Sequence, residues 1–171
     1  LEAKLYYSSG LAKFVPLSTL GAKVLPFANV KRFSLKFSED MQIATDDLTL
    51  MGVRVNNYAM ANFNYDAATR TATWTLAQAI DRDRVTLRLD GTGPDGMKDV
   101  HGVFWGSDTF KKFAVLVGDV NGDGRVTPSD LGLIVRQTVK PYNAQFDIDG
   151  DGDVDYADYA MARGRLNTKL P

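Results

Sequence analysis

Residues 119–130 read DVNGDGRVTPSD and residues 147–158 read DIDGDGDVDYAD, and the two share one spacing of oxygen-bearing side chains. Positions 1, 3, 5 and 12 hold Asp119, Asn121, Asp123 and Asp130 in the first copy, and Asp147, Asp149, Asp151 and Asp158 in the second. Gly124 and Gly152 stand at position 6. A hard divalent cation takes roughly six to eight oxygens, which a chain curling round it supplies from alternate side chains and the position-7 carbonyl. Those carbonyls belong to Arg125 and Asp153. Glycine at position 6 lets the backbone turn sharply without a Cβ clash. One such run alone reads as a solvated turn; two copies in a 28-residue register read as calcium loops, with two Ca2+ ions expected.

Position 12 is Asp in both copies, where EF-hand loops generally carry the longer Glu. Each loop is followed by a helical pattern, and no convincing helix precedes either. This duplicated D-x-[ND]-x-D-G-x5-D loop resembles the type I dockerin family, and GDVNGDGRVTPSD at 118–130 is close to that family's consensus. The resemblance covers about residues 118–170. It implies a small two-helix, two-calcium module (an F-hand arrangement) that docks onto a cohesin domain, commonly at the C-terminus of secreted bacterial proteins. In that family recognition falls on loop positions 10 and 11 and on the helix about one and a half turns later. Here those are Pro128, Ser129, Val135 and Arg136, and in the second copy Tyr156, Ala157, Arg163 and Gly164. The copies differ at all of these positions, and the Ser/Thr pair with following basic pair that often marks cellulosomal dockerins is missing. One preferred face is therefore expected, on the second helix, with Tyr156 as anchor and Arg163 and Arg165 as charge.

After Asp130 the apolar period becomes helical. Leu131, Ile134, Val135 and Thr138 fall at i, i+3, i+4 and i+7, Pro141 helps to end the run, and Tyr159, Ala162 and Leu166 repeat the face. Thr127, Pro128 and Asp130 predict a capping box with proline in the first turn, so Asp130 both caps and coordinates.

Upstream, to about Val117, the period is 2. The clearest strands are 31–37, with Phe33, Leu35 and Phe37 on one face; 71–76, with Ala72, Trp74 and Leu76 opposed to three Thr; and 84–90, with Val85, Leu87 and Leu89 inward. Weaker ones are 3–7, 13–17, 47–50, 58–65 and 109–117. Residues 66–70 predict a hairpin, and 91–96 a tight bend. Such strands predict an antiparallel sandwich with one face of each sheet buried. FSEDM at 37–41 and YDAATRTATWTL at 65–76 resemble bacterial Ig-like domains of surface proteins, which implies a spacer or stabiliser without chemistry of its own.

The whole is expected to be mainly β plus a small α portion: an Ig-like β-sandwich over 1–117 and a dockerin-like module over 118–171. No Gly/Ser or Pro/Thr linker separates them, so the two are expected to be held rigidly together. The chain has 171 residues and no cysteine, which excludes disulfides and zinc thiolates. From Val117 onward nine acidic residues face six basic ones, net −3; before it twelve face fourteen, net +2, giving the overall −1. Neither part has the basic field that nucleic acid requires, and no apolar run suggests membrane insertion. Two calcium ions would take the −3 to about +1. Leu1 in place of a start Met predicts a piece of a longer protein whose targeting signal is out of view.

GTGPDG at 91–96 matches G-x-G-x-x-G, but Pro94 and the lack of a following helix make it a turn. His101 has no nucleophile partner motif and reads as a surface-loop residue. The only two Glu, Glu2 and Glu39, do not make a glycosidase pair. Asp90, Asp95, Asp99 and Asp108 are weighed as an irregular third metal site, and Trp105 as the one aromatic able to face a sugar. The expected function is non-enzymatic assembly: a monomer that binds a cohesin-like partner when calcium is present, outside the cell or on its surface, where calcium is roughly millimolar. The alternative is a carbohydrate-binding sandwich with a structural calcium tail, part of a larger secreted, polysaccharide-related protein.

Overall fold

A computed structural model describes residues 3–8, 15–16 and 24–171. The strands among them are β1 (Ala3–Ser8), β2 (Val15–Pro16), β3 (Val24–Leu25), β4 (Val30–Phe37), β5 (Met41–Gln42), β6 (Leu48–Gly52), β7 (Met60–Asp66), β8 (Thr71–Ile80), β9 (Arg82–Leu89), β10 (Lys98–Asp99) and β11 (Thr109–Leu116). The helices α1 (Pro128–Gln137) and α2 (Tyr156–Arg163) follow. One sheet runs β2-β1-β4-β8-β7, a second β3-β11-β9-β6, and β5 and β10 form a small pair.

The alternating positions read from the sequence are the core positions. Phe33, Leu35 and Phe37 of β4, Ala72, Trp74 and Leu76 of β8, and Val85, Leu87 and Leu89 of β9 are all buried in one cluster shared by both sheets. Phe33 meets Phe113 of β11 across that layer, ring centroids 5.9 Å apart. The indole of Trp74, fully buried, donates to the Thr45 carbonyl at 3.0 Å, as a buried N–H must. The hairpin at 66–70 forms as expected: Asp66 accepts from the Ala68 and Thr69 amides, and Arg70 takes φ 55°. FSEDM and the hairpin touch, since Arg70 donates to the Ser38 carbonyl and the Met41 amide donates to the Tyr65 hydroxyl.

Several features depart from expectation. The pairing is not wholly antiparallel, because β3 runs parallel to β11; a two-residue strand carries no alternation to read, and so β3, β5 and β10 gave no sequence signal. Of the strand expected at 13–17 only β2 is described, placed at a sheet edge where its proline costs no ladder bond; the rest of that segment, and Glu2, lie outside the described residues. The 91–96 segment is a turn with no helix after it.

Only Asp81 separates β8 in one sheet from β9 in the other. Two residues on, Asp83 is fully buried and accepts from the amides of Val53, Arg54, Val55 and Arg84 and from the Tyr58 hydroxyl. Burial alone would raise its pKa, but this set of donors outweighs it and holds the carboxyl below its ordinary value. The result is a fixed loop after β6, beside the corner that faces the C-terminal segment.

That segment packs on the end of β11. Val117, Val120, Ile134, Ile148 and Ala162 make a second buried cluster, joined by Ala28, while Val126 and Leu170 pack with Ala114 and Leu116. Backbone bonds cross the junction from Ala28 N to Ile148 O and from Gly118 N to Pro26 O, both 2.8 Å. In α1 the inward stripe differs from the expected one: Ile134 and Gln137 are buried, whereas Val135 and Thr138 face out, Val135 at 52% exposure. That edge packs Ile134 into the cluster with Ala162 of α2 and turns Gln137 onto the Pro141 carbonyl, and the sequence period could not tell it from the neighbouring one.

Candidate metal centre

Each loop begins on a buried aspartate and ends on another. Asp119 and Asp130 are fully buried, as is Asp158, and Asp147 is 4% exposed. Asp119 accepts from the amides of Gly122, Asp123 and Gly124, which folds the first loop back over its own first carboxylate. Asp147 repeats this with the amides of Gly150 and Gly152. The position-6 glycines take φ 85° at Gly124 and 105° at Gly152, a backbone closed to most side chains, as the loop reading requires.

At the other end the loop closes onto its helix. Asp130 accepts from the Asn121 amide with one oxygen and from the Thr127 amide and hydroxyl with the other. Thr127 in turn accepts from the Ser129 amide, so the predicted capping box is present with Pro128 at the first turn. Asp158 bridges Ile148 and Asp155 in the same way, and Asp155, the N-cap of α2, accepts from Ala157.

Between these ends stand the exposed and half-buried members. Asn121 and Asp123 contact each other, Nδ2 to Oδ2 at 3.1 Å. Carboxylate oxygens of Asp147, Asp149 and Asp151 lie within 4.8 Å of one another, and so do those of Asp153, Asp155 and Asp158. None of these aspartates has a Lys, Arg or His ion-pair partner among the described residues. Burial pushes the carboxyls of Asp119, Asp149 and Asp158 above the ordinary range, with neighbouring carboxylates adding to it. Exposed Asp153 is raised chiefly by Asp151. Buried, mutually repelling carboxylates without a basic partner are the donor set that a hard, oxygen-seeking cation fits.

Two residues here escaped the sequence reading. Asp155 stands at loop position 9, where a capping role and a ligand role look alike in sequence. Tyr142, outside both loops, donates its hydroxyl to Asp147 Oδ2 at 2.7 Å, and burial with that bond raises the phenol to about 12. Only the fold reveals this contact, since nothing local ties Tyr142 to the loop.

The eight recognition positions are all exposed: Pro128, Ser129, Val135 and Arg136 on one side, Tyr156, Ala157, Arg163 and Gly164 on the other. Tyr156 is 70% exposed, and its ring lies tilted against that of Tyr159 with centroids 5.7 Å apart. Arg165 is not free, since it pairs with Asp81.

The other weighed sites dissolve. Arg88 holds both Asp90 and Asp108, and Asp99 is engaged by the amides of His101 and Val103, so the four aspartates do not converge as a third metal site. Trp105 is half-buried, set edge-on to Phe37 and packed against the core. No helix among the described residues is long and apolar enough to cross a membrane.

The family model described as "Dockerin type I domain" matches residues 117–167, a span that takes in both loops and both helices. No curated protein matches the chain. Among solved structures, the chain is similar to "Structure of surface layer protein SbsC, domains 1-6", at 18% identity and a TM-score of 0.38. That match covers 50% of this chain and 12% of the other, so the chain spans a small part of that protein's length.

Proposed function

We propose that residues 118–171 are a non-catalytic, calcium-dependent docking module for a cohesin-like domain, and that residues 1–117 form a separate Ig-like sandwich that stabilises it. The reading rests on one observation: the dockerin type I match falls on two loops whose first and last aspartates are buried without a cationic partner. Asp119, Asn121, Asp123, Asp130 and the Arg125 carbonyl form one site. Asp147, Asp149, Asp151, Asp158 and the Asp153 carbonyl form the other, with Asp155 within reach. Bound calcium supplies the positive charge that lets these carboxylates stay buried side by side. The residues then do the rest: Asp130 and Asp158 tie each loop to the first turn of its helix, which fixes the exposed positions on α1 and α2 for a partner. Sites of this kind stay filled where calcium is roughly millimolar, which supports an extracellular or cell-surface setting.

Titration calorimetry of the metal-free chain with calcium tests the metal part, with two ions per chain expected. Capture on immobilised cohesin domains, with and without chelator, tests docking. A single site, or capture indifferent to chelator, would sink the reading.

A further inference from the structure

Away from the loops, Arg54, Arg82 and Arg165 line one cavity of about 270 Å³ together with Asp81 and Thr168, floored by Leu116 and Val117. Arg54 Nη1 donates to the Arg82 carbonyl at 3.4 Å, and Arg165 Nη2 lies 2.8 Å from Asp81. Two guanidinium groups are thus held at residues 81 and 82, one from the loop after β6 and one from the turn after α2. Asp81 is the single acid of the lining and is already paired, while Arg82 has no ion-pair partner among the described residues. Three arginines against one aspartate leave +2 in this cavity, on a chain of net charge −1.

Guanidinium forks match the paired oxygens of sulfate, phosphate and carboxylate, and a +2 lining matches a dianion.

We propose that this cavity is a binding site for a small dianionic oxyanion, sulfate or phosphate, gripped by Arg54, Arg82 and Arg165. Arg54 and Arg82 belong to the β-rich part and Arg165 and Thr168 to the C-terminal segment. The anion therefore bridges the junction and tightens it.

The full chain, held in excess calcium, is titrated with sodium sulfate at constant ionic strength while backbone amide shifts are followed by NMR. Saturating shifts at Arg82, Val117 and Thr168 are expected, with a dissociation constant on the order of 1 mM. Arg82→Gln should weaken binding at least about fivefold, with unchanged circular dichroism and calcium stoichiometry. Arg54→Gln, at a second arginine of the lining, gives the same reading should Arg82→Gln fail to fold. A parallel titration with glycerol phosphate shows which oxyanion is preferred, and saturation by either supports the site. Shifts that stay linear for both, that match those from chloride, or that persist unchanged in the variants overturn it.

Discussion

Arg165 Nη2 stands 2.8 Å from Asp81 Oδ1, so the turn after α2 is paired with the corner residue between β8 and β9. Both side chains are 46% exposed, and pairs that wet contribute at most about 1 kcal/mol. Close packing holds the same junction more firmly. Gly118 takes φ 91°, and a Cβ there would lie 2.9 Å from the Ala162 Cα. Gly118→Ala should therefore cost at least about 2 kcal/mol in urea unfolding with calcium present, and Arg165→Ala under about 1 kcal/mol. The isolated 1–117 fragment should also melt below the same residues in the whole chain. Equal costs for the two substitutions would mean that the ion pair, not the packing, holds the parts together.

Removing calcium should unfold the C-terminal segment first. Its buried cluster has five members, and metal binding has to supply much of the folding free energy of so small a core. Helical circular dichroism should fall on chelation while the near-ultraviolet signal of buried Trp74 remains. The second loop should bind more tightly, having carboxylates at positions 1, 3, 5, 9 and 12 against Asn121 and Thr127 in the first. Asp147→Asn should then abolish the tighter calorimetric step and Asp119→Asn the weaker one, and the opposite assignment would refute the charge argument.

The loops were legible because their chemistry is written at fixed spacing: positions 1, 6 and 12 recur unchanged, and the burial of Asp119, Asp130, Asp147 and Asp158 follows from it. The long strands were legible because one face of each is buried, as Phe33, Leu35 and Phe37 show. Illegible were contacts made by single side chains outside any repeating pattern. Tyr142 on Asp147, Arg165 on Asp81 and the five donors on Asp83 leave no periodic trace. Short strands such as β3 have too few residues for a period to exist. Val135 was misplaced inward because adjacent edges of a short amphipathic helix differ by one residue step, and the neighbour that decides between them lies elsewhere in the chain.

The docking face should centre on Tyr156. It is the most exposed aromatic of α2, pre-oriented by Tyr159, and ordering it on binding costs little rotamer freedom. Tyr156→Ala should weaken a cohesin-like partner at least about tenfold, roughly 1.4 kcal/mol, and Ser129→Ala should change little. With Arg165 engaged by Asp81, Arg163 is left as the charge on this face. On the first-copy side, Val135 of α1 and Val139 just after it, at 52% and 86% exposure, are the competing apolar contacts. A larger loss from Val135→Ala than from Tyr156→Ala would move the face to the first helix. Small single effects with a large loss only in the double variant would mean two interchangeable modes.

Asp47 should make the β-rich part less stable as pH rises through the mildly acidic range. It is 3% exposed, and burial lifts its carboxyl from 3.8 to about 6, opposed by the Ala44 amide at 2.6 Å and aided by Asp46, Asp90 and Asp95. Lys98 lines the same open cleft without reversing that balance. Because the folded chain takes up this proton before the unfolded chain does, the neutral form favours folding below about pH 4. That advantage is lost progressively up to about pH 6 and is gone above it. Asp47→Asn keeps an oxygen for the Ala44 amide and removes the charge. The variant should match the wild type near pH 4 and exceed it at pH 7 by up to about 3 kcal/mol. Paired urea melts at pH 4, 5, 6 and 7 measure this, and a difference that stays constant across the range would show that Asp47 titrates as an ordinary surface carboxylate.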